Sequence, residues 1–307
     1  MLTTSLVRHY QATLITCMLM ASIAYAQDIE PRAYSNAPIG VNFVMVGYAF
    51  TSGGLSFDTA LPVTNISLTT NSAILTYTRV VDFWGKSGKI DVLVPYTFLS
   101  GSAGFEGAPI QRVVNGFGDP YFRASINLYG APALTLKEFA NYQQDWIIGA
   151  SVRLSVPASQ YDDTRIVNIG THRWSVKPEV GISKAIGAWT LELDAGATLY
   201  SANRDFFKGR TRLQDPLYSS QGHAIYNFKR DLWASADVTY FAGGRSTLDD
   251  FRVNNLQRNW RAGATLALPI DTHNSIRLYA SRGVSARTGN NFDLIGIAWQ
   301  YRWGGGL

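Results

Sequence analysis

The chain is nearly without cysteine. Its only one, Cys17, lies in the first 26 residues, and the Leu14-Ile15-Thr16 that precedes it is a poor match to a lipidation site. A chain processed after Ala26 would keep no thiol, which rules out a disulfide framework, a cysteine–metal site and a cysteine nucleophile. Charge is scarce as well: 16% of residues, with a formal net of +5 that gathers into no basic stripe, so nucleic acid is not expected as a partner. Beyond residue 26 no apolar run approaches the roughly 20 residues of a spanning helix. There is no phosphate-binding glycine loop, no zinc-type His/Glu spacing and no nucleophile elbow. The pairs Asp162-Asp163 and Asp249-Asp250 read as solvated loop carboxylates, so neither a metal nor a cofactor is expected.

What the chain does have begins with residues 1–26. Arg8 and His9 lead an apolar stretch, Ala12 to Ala24, which ends in the small-x-small sequence Ala24-Tyr25-Ala26. That is the pattern of a cleaved secretory signal. Residues 27–39 are turn-rich and are expected as a short periplasmic lead, 40–303 as a single domain, and 304–307 as a C-terminal tail.

The domain is a succession of segments of about ten to thirteen residues with period-two alternation, separated by Gly, Asn, Asp and Pro. In Trp174–Ser183 the even positions are apolar (Trp174, Val176, Pro178, Val180, Ile182) and the odd ones are not. After Gly187-Ala188 the parity flips: Trp189, Leu191, Leu193 and Ala195 are apolar against Glu192 and Asp194. A two-residue hairpin predicts Ile186 opposite Trp189, Ile182 opposite Leu193 and Val180 opposite Ala195. Twelve such strands are expected, near residues 40–51, 66–83, 89–99, 119–129, 146–156, 174–186, 189–199, 218–228, 233–242, 258–270, 275–286 and 291–303. One or two helical turns are expected near Leu134–Ala140.

Short turns alternate with long polar loops, the asymmetry of an outer-membrane barrel with both termini in the periplasm. Aromatics near strand ends fit interfacial girdles. The fold class is therefore all-β: a transmembrane, antiparallel, up-and-down β-barrel. The faces opposite the apolar ones carry Arg123, Arg153, Lys177, Glu179, Glu192, Asp194, His223, Asp237, Arg261 and Arg277, expected to line a wet pore. In the last strand Gly296, Trp299, Tyr301 and Trp303 fit the terminal signal read by the barrel-assembly machinery. Outer-membrane lipid and lipopolysaccharide are the expected surroundings, with Arg204, Lys208, Arg210 and Arg212 available to the latter. Loops one–two, three–four and seven–eight are expected to fold inward at the mouth, with Phe105, Phe117, Phe206 and Phe207 positioned to meet an aromatic solute.

Several blocks carry a resemblance: Arg32-Ala-Tyr-Ser-Asn-Ala-Pro-Ile-Gly-Val-Asn-Phe43, Gly118-Asp-Pro120, Gly130-Ala-Pro-Ala-Leu-Thr-Leu136, Asn168-Ile-Gly-Thr-His-Arg-Trp-Ser-Val-Lys-Pro-Glu179, Asp205-Phe-Phe207, Gln214-Asp-Pro-Leu-Tyr218 and Ala298-Trp-Gln-Tyr-Arg-Trp303. Together they resemble the outer-membrane family catalogued under phenol meta-pathway degradation, whose members often bear only the label transporter. The resemblance implies a Gram-negative outer-membrane barrel associated with uptake of small compounds, aromatic ones being the class that the label suggests. It brings no catalytic residue, and the chain is not expected to be an enzyme. The expected function is a channel or transporter for passive solute uptake. Two other readings stay open: an outer-membrane enzyme acting on lipid or aromatic substrate, for which His172, Ser175 and His223 are the side chains of note (Glu192 and Asp194, two apart on one face, match a carboxylate pair but read more simply as part of an internal salt-bridge network), and a non-conducting structural barrel.

Overall fold

The computed structural model describes residues 30–54, 63–105, 107–229, 231–289 and 291–307. The expected signal, 1–26, lies outside them. Among the described residues seventeen strands and one helical turn follow in chain order. They are β1 (Val41–Gly54), β2 (Val63–Phe83), β3 (Lys86–Phe105), β4 (Ala108–Phe117), β5 (Tyr121–Tyr129), α1 (Leu136–Phe139) and β6 (Trp146–Ser155). Next come β7 (Ser175–Ile186), β8 (Trp189–Tyr200), β9 (Asn203–Phe206), β10 (Arg210–Gln214), β11 (Leu217–Lys229) and β12 (Leu232–Gly243). The chain ends with β13 (Ser246–Leu248), β14 (Phe251–Arg252), β15 (Gln257–Pro269), β16 (Asn274–Ala286) and β17 (Asn291–Gly304).

The main sheet has thirteen strands, of which β4 pairs only with the outer half of β3. The other twelve run β2-β1-β17-β16-β15-β12-β11-β8-β7-β6-β5-β3 and close through β2–β3, every neighbour antiparallel. Closure leaves these twelve no edge, which a hydrocarbon surround demands because an unpaired amide there has no water to turn to. The expected register is the observed one: Ile186 faces Trp189, Ile182 faces Leu193 and Val180 faces Ala195. Gly187 stands in the left-handed region (φ 59°), as glycine at the first position of a two-residue turn requires.

Alternation sorts the two faces. Val180, Leu193, Val152, Ile297 and Leu278 stay exposed on the outside, while Ser151, Glu192, Asp194, Thr239 and Arg261 are buried inside. This inverts the pattern of a soluble sandwich, and it is the pattern expected when lipid is the outer solvent. Aromatic clusters bound the apolar band. At the short-turn end Trp189, Tyr226 and Phe228 stack edge-on, with centroids 5.0 and 4.9 Å apart. At the long-loop end Tyr240 lies 4.6 Å from Trp260, and Tyr96 lies 5.0 Å from Phe117.

The long-loop end is roofed. A second, four-stranded sheet β14-β13-β10-β9 joins the two loops that flank β11 and β12. Its apolar underside is the cluster Phe206, Phe207 and Leu248, with Phe105, Ile166 and Val253. Residues 156–174, between β6 and β7, run beneath it: Val167 packs on Leu68, Leu99 and Phe292 at the top of the lumen. The inward segment is thus loop five–six. Loop three–four instead forms β4 and prolongs the wall, because its alternating residues find a partner in the upper half of β3. Loop one–two falls largely outside the described residues. Phe105, Phe206 and Phe207 are committed to the roof's own core, and Phe117 lies against Tyr96 with more than half its surface exposed.

At the opposite end α1 is one turn, capped by Thr135. Glu138 Nα–H donates to the Thr135 hydroxyl, and the Glu138 carboxylate accepts the Thr135 amide at 2.8 Å, a reciprocal capping box. The C-terminal tail stays close to it: Gly306 packs against Leu136. Among the described residues no helix is long and apolar enough to cross a membrane.

Candidate functional site in the barrel lumen

Twelve strands enclose more space than side chains alone fill; about eight is the number at which they suffice. The space is filled in part by the chain itself. Residues 30–39, expected as a periplasmic lead, turn into the lumen from the short-turn end. Their outer part is fastened there, Ile39 Nα–H donating to the Leu134 carbonyl at 2.9 Å and Gly40 Nα–H to Val80 at 3.0 Å. The inner part reaches a charged wall that matches it.

That wall is built by register. Inward residues Asp91, Arg123, Arg153 and Lys177 are successive cross-strand neighbours on β3, β5, β6 and β7. They make a largely basic arc. Continuing round, Glu192 faces Ser183 and His223, Asp194 faces Gly181 and Gln221, and His223 faces Asp237, which gives an acidic arc on β8, β11 and β12. Alternation puts every one of these on the inner face, because a strand that shows lipid its apolar residues must turn the others inward.

The plug carries one charge for each arc. The Glu30 carboxylate bridges Arg123 and Arg153, the second at 3.5 Å. Arg123 also donates to Asp91 at 2.9 Å. Burial opposes ionisation of Glu30, but the cations Arg123, Arg153 and Lys177 outweigh it and bring the carboxyl down to about 2. Two residues on, the Arg32 amide donates to Glu192 at 2.7 Å, and its guanidinium to Asn227 at 3.3 Å. Burial lowers the Arg32 pKa, against the pull of Glu192 and Asp231. Lys89 Nζ donates to the Ala33 carbonyl at 3.0 Å.

Tyr34, 4% exposed, is the apolar anchor. Its ring fills a slot made by Gly149 and Gly181, cross-strand neighbours on β6 and β7. A Cβ on either glycine would stand 2.1 or 2.3 Å from the ring. The hydroxyl lies 3.2 Å from the Ser151 hydroxyl and donates to Glu179 at 3.5 Å. Glu179 in turn pairs with Lys177.

All ten residues expected to line the pore are on the inner face, but they do not form one site. Arg123, Arg153, Lys177, Glu179 and Glu192 hold the plug. His223 lies between two carboxylates, Nδ1 2.7 Å from Asp237 and Nε2 3.7 Å from Asp194. Ser235 donates to Asp237 at 3.0 Å, so the hydroxyl meets the carboxylate and not the imidazole, and no nucleophile–base pair results. Arg261 sits higher, its guanidinium 3.7 Å from the centroid of Phe292 and donating to Ser281 at 2.7 Å. His172 stacks on Tyr161 at the rim. Arg277 faces what is left of the lumen.

That remainder is a cavity of about 840 Å³ beside the plug, against β15, β16, β17, β1 and β2. Ala267, Gly47 and Ala298 keep its wall thin, Phe43, Met45 and Ile74 make it apolar, and Lys89, Asp91 and Arg277 supply charge. Glu30, Arg32 and Trp233, which line it, were not among the pore residues expected from sequence, nor was the anchor Tyr34. The available signal was Glu30-Pro-Arg-Ala-Tyr34 itself, opposite charges and an aromatic bracketed by prolines, and the glycines at inward positions of β6 and β7. The terminal motif divides between faces. Trp299, Tyr301 and Trp303 stack outward, with centroids 6.1 and 5.6 Å apart, whereas Gly296 points inward and leaves room for the Tyr279 ring.

Residues 46–301 match the model of the family described as "Putative MetA-pathway of phenol degradation". The chain belongs to this family. Among solved structures, an outer membrane channel from Pseudomonas putida F1 superposes with a TM-score of 0.77 at 21% identity, covering 90% of this chain and all of that one. The transport unit of the autotransporter AIDA-I from Escherichia coli gives 0.50 at 9% identity, over 90% of this chain and 93% of that one. At these identities the likeness is one of fold. No curated protein matches the sequence.

Proposed function

We propose that the protein resides in the outer membrane of a Gram-negative bacterium and passes small solutes passively, aromatic compounds among them, through the part of the lumen that the plug leaves open. The observation that carries this reading is the cavity of about 840 Å³, whose size suits a molecule of one or two rings and whose wall is part apolar and part charged. A lumen meant only to be sealed has no need of the small inward residues Ala267, Ala298 and Gly47, which flank Arg277 in one cross-strand row. The Pseudomonas putida neighbour, an outer membrane channel, and the family label support the same reading. The outward Trp299, Tyr301 and Trp303 ladder supports recognition of β17 by the barrel-assembly machinery, and outer-leaflet lipopolysaccharide is the natural neighbour of the exposed Arg204 and Lys208 in the roof.

The test is reconstitution in a planar bilayer together with uptake by a strain lacking the gene. Discrete current steps, or restored uptake of an aromatic carbon source, support the proposal. Silence in both assays refutes it and leaves a structural barrel; turnover of a lipid or aromatic substrate that is lost on His223→Gln would make it an enzyme.

A further inference from the structure

Of the cations that line the cavity, Arg123 pairs with Glu30 and Asp91 and Arg302 with Asp231 at 3.0 Å, while Lys89 and Arg32 are tied up in holding the plug, Lys89 donating to the Ala33 carbonyl at 3.0 Å and the Arg32 guanidinium to Asn227 at 3.3 Å. Arg277 donates instead to the neutral side-chain oxygen of Gln300 at 2.8 Å, and its guanidinium lies 5.9 Å from the centroid of Trp233. Among the described residues no carboxylate stands within ion-pairing distance of it. The second cation against the same indole is Arg32, at 5.4 Å. Glu192 and Asp231 act on Arg32, whereas Arg277 faces a second guanidinium across the indole with no carboxylate of its own, a state that a bound anion relieves.

The space beside Arg277 has the shape of a slot for an apolar body. Its cross-strand neighbours in one row round the barrel are Ala298, Gly47 and Ile74, all lining the cavity. A Cβ on Gly47 would meet the Ala298 and Ile74 side chains at 3.5 and 3.7 Å and the Ile297 carbonyl oxygen at 3.7 Å, all ordinary contacts, so the wall there is flat and largely apolar. We infer that the cavity takes a monoanionic solute, a carboxylate or similar oxyanion on a ring or short chain, with the anion seated on Arg277 and the body along Ala298, Gly47 and Ile74. The planar guanidinium fork matches a carboxylate, and the bond to Gln300 fixes its orientation. This rests on the channel reading for its physiological meaning, since it names the class of solute that would pass.

Equilibrium dialysis of the purified full chain tests it, with protein-free micelles as blank and three probes of one shape: 4-nitrobenzoate, 4-nitrobenzyl alcohol and 4-nitrobenzylamine. The acid is expected to bind about tenfold or more tighter than the alcohol, and the amine most weakly. Arg277→Gln should abolish the difference between acid and alcohol while leaving the alcohol within about twofold. Arg277→Lys should keep part of the preference, and Gly47→Leu should weaken acid and alcohol together. Equal binding of the three probes by the unmodified protein, or a preference that survives Arg277→Gln, overturns the site. Should Arg277→Gln fail to fold, undiminished binding of both probes by Gly47→Leu overturns it equally. Conductance separates the two claims: a conducting protein without anion preference refutes this site and leaves the channel, whereas a selective binder that neither conducts nor restores uptake does the reverse.

Discussion

Replacing Glu30 by glutamine tests how the plug is held. Glutamine fills the same volume but brings no charge to Arg123 and Arg153. A carboxyl brought from 4.5 to about 2 is favoured in its ionised, docked form by roughly 3 kcal/mol, at about 1.4 kcal/mol per pH unit. A quarter of the side chain still meets lumen water, and screening there trims the contribution to about 2 kcal/mol. That corresponds to about a 30-fold rise in the ratio of released to docked plug. Arg32–Ala33 is a tryptic bond that a protease cannot reach inside the barrel, so its cleavage reports the released population when docking and release are fast. The assay is limited trypsin digestion of the solubilised barrel, following loss of the segment ending at Arg32 by mass. Glu30→Gln should be cut there about 30 times faster than the unmodified protein. Rates equal within about twofold would refute the claim that this ion pair holds the plug.

The sign of the pH dependence follows from the same shift. Because docking depresses the Glu30 pKa, its contribution is complete above the ordinary value of 4.5 and is lost as the pH falls from there to about 2. Hydrogen exchange at the Arg32 amide, which donates to Glu192, should therefore be unaffected by Glu30 titration between pH 5 and pH 7. In acid the unmodified protein should converge on the Glu30→Gln variant.

Three further outcomes are expected. Gly149→Ala places a methyl within 2.1 Å of the Tyr34 ring, so it should expel the anchor and speed cleavage after Arg32 even though both charges of the plug remain; native cleavage rates would show that the slot is not what seats Tyr34. Val180→Lys, on the lipid face of β7 and 59% exposed, should destabilise the barrel by about 2–4 kcal/mol in urea titrations in liposomes, whereas Val180→Leu should stay within about 0.5 kcal/mol. Deleting residues 30–38 should raise single-channel conductance in a planar bilayer; an unchanged conductance would place the limiting constriction in the roof and not in the plug.

Strands and register were legible because their signal is local. One residue's environment fixes the next by alternation, and a glycine that permits a two-residue turn sets the register for the whole β7–β8 pair. The same alternation is why all ten candidate lumen residues stand on the inner face. Their partners were not legible. Glu30 meets Arg123, and Arg32 meets Glu192, across separations of 93 and 160 residues. A proline-bracketed segment has no period that announces where it docks. The roof failed to show for a related reason. Strands β9, β10, β13 and β14 have 2–5 residues each, too few for a period to emerge, and they exist because two loops supply each other's hydrogen bonds.

The lumen joins these two levels. Inward-facing small residues occur on both halves of the barrel, Gly149, Ser151 and Gly181 on one and Gly47, Ala267 and Ala298 on the other. On the first half the chain fills the space with its own Tyr34, and the surrounding charges find partners in Glu30 and the Arg32 backbone. On the second half the space stays open, and Arg277 meets a neutral amide and the Trp233 ring but, among the described residues, no carboxylate. A twelve-stranded wall with small side chains all round would have left a wide aqueous pore, and one with large side chains all round would have closed. Filling one half with a segment of opposite end charges reduces the opening to a slot, and the unfilled half then sets both the size and the charge of whatever fits. Selectivity in such a barrel is decided by the side the plug does not touch, so substitutions at Gly47 or Arg277 should change which solute binds, while substitutions at Gly149 or Glu30 should change how much of the lumen is open to any solute at all.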